Sequence, residues 1–127
     1  MSALALPSMR VMAVDRSDGD VSIVDLRADG DPDVEISMQL PTRAGGIIDT
    51  NQRVAIVFHR GDSAKHADIA MSYKVLQFDE RENNTCVLHL SASGLLMKLS
   101  GPQRTLRPLT ATSSLRYDVH LRTLPAR

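Results

Sequence analysis

The feature that most constrains this chain is a two-residue alternation of apolar and polar side chains, repeated between clusters of turn residues. Val34, Ile36, Met38 and Leu40 are apolar, while Glu35, Ser37 and Gln39 between them are polar. That period gives a strand buried on one face. Leu115, Tyr117, Val119 and Leu121 alternate with Arg116, Asp118, His120 and Arg122. Cys86, Leu88 and Leu90 alternate with Thr85, Val87 and His89. Val54, Ile56 and Phe58 form a further apolar face, with Arg53, Ala55 and Val57 opposite; apolar residues on both faces predict a central strand.

The punctuation agrees with the period. Asp18-Gly19 separates a strand over 10–15 from one over 21–26, and its glycine is expected to supply the positive φ of a tight hairpin. Residues 28–33 separate the second strand from the third. Residues 80–84 end a long strand over 67–79, and Asn83 and Asn84 tolerate the left-handed backbone such a turn needs. Within that long strand the apolar parity changes at Val75-Leu76, which predicts a β-bulge or a corner there. The segments 41–51 and 100–108 read as loops. Leu4 to Met12 has room for a turn of helix, interrupted by Pro7. No segment keeps a helical period over ten residues. The expectation is one all-β domain over residues 1–127, an antiparallel sandwich or flattened barrel of about seven to nine strands with little helix.

The 127 residues suffice for a core without staples. Hydrophobic side chains make up 43% and charged ones 24%, and fifteen basic residues balance fifteen acidic, which excludes a charge-driven disordered chain. The single cysteine, Cys86, excludes an intrachain disulfide and a multi-cysteine zinc site. No apolar run is long enough for a membrane-spanning helix, and the first residues lack the basic region of a signal peptide. The expected location is cytoplasmic, in a cell or, for a viral protein, in the host cytoplasm or virion. Aromatic residues are only 3% and tryptophan is absent, which weakens any reading that stacks bases on rings.

No phosphate-binding glycine loop, nucleophile elbow, H-E-x-x-H or C-x-x-C motif occurs, so no enzyme activity, cofactor or small-molecule substrate is expected. His89 and His120 fall on the polar parity of their strands. Two such histidines facing each other across a sheet can hold a metal, but without a supporting motif they read as surface side chains, and no metal is expected. Asp29, Asp31 and Asp33 have the spacing that opens a calcium loop, yet Val34 and Leu40 stand where that loop needs glycine and glutamate, so a solvated turn is the reading. Ser91-Ala92-Ser93-Gly94 resembles part of the Asp-x-Ser-x-x-Gly stretch of PilZ-type cyclic-dinucleotide receptors. His89 replaces its aspartate and no R-x-x-x-R arm precedes it, which leaves a turn between strands 85–91 and 95–99.

Neutrality hides a polarity. Residues 1–97 carry nine basic and fourteen acidic side chains; residues 98–127 carry six basic and one acidic. Arg116 and Arg122 share a strand face, and Arg104 and Arg107 precede them, so these four are the candidate site for a phosphate backbone (RNA or DNA) or an anionic membrane surface. The competing reading pairs them with the acidic turns, within or between chains. The strand over 114–124 also reads as an edge able to add to a neighbour's sheet. The leading expectation is a non-enzymatic structural or interaction protein that homo-oligomerises, such as a small viral or phage virion component (matrix, coat or tail type) or a subunit of a bacterial assembly. The alternative is the anion-binding module, and the lesser one a small-ligand-binding β-barrel.

Overall fold

The computed structural model describes residues 2–16, 19–31, 33–45, 48–60, 67–110 and 116–125. Eight strands close on themselves: β1 (Ser2–Asp15), β2 (Val21–Ala28), β3 (Glu35–Pro41), β4 (Arg53–His59), β5 (Ile69–Arg81), β6 (Thr85–Ala92), β7 (Leu95–Pro102) and β8 (Arg116–Thr123). Their order around the barrel is β1-β2-β3-β7-β6-β5-β8-β4, with every neighbouring pair antiparallel. The all-β, eight-stranded barrel is the architecture the alternation implied.

Closure depends on β1. Its first part pairs with β4 and its second with β2, overlapping at Met9 and Arg10. The strand therefore bends, and bulges supply the bend. Leu6 pairs with Ile56 and Met9 with Val54, so Pro7 and Ser8 together face only Ala55. Proline has no N–H for a ladder and is tolerated at such a bulge. Pro7 thus marks a kink in a strand, not a break in a helix, and the helical turn expected before Met12 is absent. A second bulge leaves Met12 unpaired between Val11 and Ala13, and a third leaves Leu76 unpaired between Val75 and Gln77, at the parity change read from the sequence.

The alternating apolar faces point inward. Tyr73 lies directly opposite Tyr117, Leu26 opposite Ile36, Leu88 opposite Leu99 and Met38 opposite Met97, all buried. Ser22 is the buried polar residue among those described, and its hydroxyl lies 3.4 Å from that of Thr42. One end of the barrel is covered by the short helix α1 (Thr42–Gly45), which packs on β2 and β3, and by the fully buried Ile48.

The other end is plugged by α2 (Gln103–Thr110), packed on β1, β6 and β7. This helix corrects the loop expected over 100–108. Leu106 and Leu109, three apart, are buried, while Arg104, Arg107 and Pro108 face outward. Eight residues give too little length for a periodic signal, and Pro108 inside the helix hides it further.

A second correction concerns edges. β8 pairs with β4 on one side and β5 on the other, so the strand expected at an edge is internal. The turn expected at Asp18-Gly19 includes Asp18, which lies outside the described residues; among the described residues the left-handed positions are Asn51, Asn83, Asn84, Ser93 and Gly94. Asn83-Asn84 and Ser93-Gly94 make the β5–β6 and β6–β7 hairpins, as their chemistry implied.

Candidate functional site

A barrel filled with tyrosine, phenylalanine, methionine and leucine side chains leaves its interior to packing. Among the described residues, four features of the outer surface bear chemistry.

The first is a groove across β1, β2, β3, β7 and β6. It comprises two adjoining hollows of about 380 and 270 Å³ that share Ser37 and Lys98. Asp25, Ser37, Lys98, His89 and Gln77 lie in direct cross-strand register, one per strand. Around this polar row sit Met12, Ile23 and Leu96, which are exposed apolar residues. Gln39 on β3 accepts the Leu96 backbone N–H through its side-chain oxygen at 3.0 Å. His89, between Lys98 and Gln77 in the row, has the Asp79 carboxylate 3.6 Å from its Nε2.

The second is the set of four arginines. Arg104 and Arg107 project from α2 at the plugged end. Arg116 starts β8 at that same end and lies directly opposite Lys74 on β5. Two cations opposed across a ladder repel unless an anion joins them. Arg122 is six residues further along β8, roughly 20 Å at the rise of a strand. There it lies beside Asp68, whose carboxylate accepts the Thr123 backbone N–H at 2.7 Å and the Thr123 hydroxyl at 2.9 Å. These hydrogen bonds, and the Arg122 charge less strongly, hold the Asp68 carboxyl below the usual carboxylate range. The fold thus gathers three of the four arginines at one end and sets Arg122 apart. The acidic turns take other arginines: Asp29 lies 3.8 Å from Arg10 and 3.4 Å from Arg53 and accepts the Ser8 hydroxyl, while Glu35 holds Arg27 at 2.6 Å. The carboxylates of Asp29, Asp31 and Asp33 do not converge. Asp31 instead accepts the Asp33 backbone N–H at 3.3 Å within the turn.

The third feature is a histidine pair. His120 does not meet His89, which lies on β6. Its partner is His59, on the outward parity of β4, and their ring centroids are 4.6 Å apart. Nothing in either strand alone pairs them; only the β4–β8 register does.

The fourth is the far half of β5. This strand pairs with β8 only through Lys74, so residues 75–81 have no strand on that edge among the described residues. Leu76 is 55% exposed and Phe78 41%. Gln77 donates to Asp79 at 2.8 Å, and Arg81 lies 3.9 Å from the same carboxylate.

No group of three metal-ligating side chains is close enough to hold an ion, and no helix is long and apolar enough to cross a membrane, among the described residues. No protein-family model matches the chain, and no curated protein matches it. Among solved structures, the chain is similar to one described as the cytoplasmic molybdate-binding protein ModG with molybdate bound. The identity is 11%, the match covers 93% of this chain and 89% of that one, and the TM-score is 0.38. At that level the likeness carries nothing about what this chain binds.

Proposed function

We propose that the protein is a non-enzymatic structural subunit that acts by self-association through the β5 edge. The observation that supports this reading is the stretch 75–81, which has no strand on its β8 side among the described residues and carries Leu76 and Phe78 at its surface. An unpaired edge is a template for another strand, and proteins that avoid association blunt it with charge or a kink. Here the residue turned out by the β5 bulge is Leu76, so the kink presents an apolar group.

The sequence of the edge also complements itself. Two antiparallel copies centred on Gln77 set Leu76 against Phe78 of the partner copy, both beyond Lys74, the last β5 residue paired with β8. Such a pairing is isologous and closes as a dimer. Such apolar cross-strand pairs each add roughly 0.2–1 kcal/mol. Shuffled registers lose this match; centred on Phe78, Leu76 would face Glu80. A virion or other assembly subunit would use such a dimer as its building block.

Sedimentation velocity across a hundredfold concentration range tests the reading. The wild type is expected to move from monomer to dimer. Gln77→Pro, which removes a ladder donor and stiffens the edge, is expected to stay monomeric. A wild type that remains monomeric throughout refutes the proposal.

A second reading rests on the Lys74–Arg116 pair and the arginines of α2 at the same end. It makes this end an anion-binding surface for a nucleic-acid backbone or acidic headgroups. Binding would then weaken steeply with salt and fall on Arg116→Glu, while Arg122→Glu would change little.

A further inference from the structure

We infer that His59 and His120 form a two-histidine site for a divalent transition metal of the zinc or nickel class on the outer face of the β4–β8 seam. His59 lies directly across from Asp118, and His120, two residues on, lies across from Val57. The two histidines are therefore diagonal neighbours on one face, a spacing that long and ring side chains bridge. Their rings are tilted by 42° with centroids 4.6 Å apart.

The second, independent observation is the His59 Nδ1 atom. It is shielded from solvent and has no hydrogen-bond partner among the described residues. A neutral imidazole carries one N–H and one lone pair, and a buried ring nitrogen without a partner calls for an explanation. Coordination of an ion shared with His120 supplies one. Two imidazole nitrogens on a tetrahedral zinc stand about 3.3 Å apart, given bonds of about 2.0–2.1 Å. The 4.6 Å between ring centroids is compatible with that separation.

The surroundings favour the neutral, ligating form of His59. Burial and then the nearby His120 disfavour its protonation, while Asp118 works the other way. No third protein ligand completes the set among the described residues, so water fills the remaining positions. Asp118 is then the carboxylate placed to accept from such a water or from the far ring nitrogen. Imidazole ligands without thiolate suit zinc, copper and nickel, and exclude calcium and magnesium. The ion would cross-link β4 to β8.

The test uses the tag-free, chelator-washed protein titrated with zinc sulfate by calorimetry, alongside imidazole ¹⁵N chemical shifts. One equivalent of zinc is expected to bind and to shift the His59 and His120 ring nitrogens together. Both His59→Ala and His120→Ala should weaken that binding at least tenfold, and His89→Ala should leave it unchanged. Circular dichroism confirms that each variant is folded, and His120→Gln replaces any that is not. Zinc binding that survives both substitutions, or no binding at millimolar zinc, overturns the assignment.

Discussion

Replacing Leu106 by alanine tests whether α2 is a structural plug. Leu106 is fully buried at the mouth of the barrel and Leu109 nearly so, while Arg104 on the same helix is exposed. A buried leucine cut to alanine costs about 3 kcal/mol, from lost transfer energy and the cavity left behind. The unfolding entropy of 127 residues at about 2.1 cal/mol/K each is roughly 270 cal/mol/K, so the melting temperature should fall by about 11 °C. The helix is also tied to β8, because the Tyr117 hydroxyl donates to the Leu109 carbonyl at 3.0 Å. Tyr117→Phe should therefore cost about 1 kcal/mol on its own. Equilibrium urea unfolding with circular dichroism measures both, with Arg104→Ala as the exposed control, expected within about 0.5 kcal/mol of wild type. If Leu106→Ala costs no more than Arg104→Ala, α2 does not close the barrel and the reasoning fails.

Other outcomes follow from the same packing. Gly101→Ala should destabilise by about 1–2 kcal/mol, since its Cβ would sit 3.1 Å from Val34 Cγ2 and 3.4 Å from Val34 Cα; urea unfolding at or above wild-type stability would refute the close approach. Cys86 should react with a thiol reagent only on unfolding, because it is buried and both burial and Glu80 push its thiol pKa up. His59 titrates below its ordinary 6.5, owing chiefly to burial and then to His120. The unfolded chain therefore binds the proton more readily, so this contribution is present above about pH 6.5 and lost as pH falls through the lower folded value. With chelator present, the drop in melting temperature from pH 7 to pH 5 should be smaller in His59→Asn than in wild type.

Strands were legible where one face is wet. Val34 to Leu40 and Tyr117 to Leu121 alternate because each side chain meets either core or water, and the structure buries the apolar set in both. The bulge at Leu76 was legible because a single extra residue reverses parity. The plug helix was not, because two buried leucines and a proline in eight residues leave no period to read. The arginines were visible as a composition change, but their separation was not, since strand length and not sequence proximity sets Arg122 apart from Arg116. The histidine pair and the open part of β5 were hidden for a shared reason. Each depends on which strands are neighbours, and the order β5-β8-β4 joins elements far apart in the chain. Reading β8 as an edge failed for that reason as well.

The most direct test of self-association through β5 is a cross-link at its proposed centre. In the Gln77-centred dimer each Gln77 opposes its own copy, at a Cβ separation of about 4.5–5.5 Å that small adjustments bring to disulfide range. Purified Gln77→Cys is oxidised mildly and run on a non-reducing gel, with Arg104→Cys as an exposed control away from the edge. The account predicts rapid, near-complete covalent dimer for Gln77→Cys and little for the control. Equal, slow cross-linking of the two variants would contradict it.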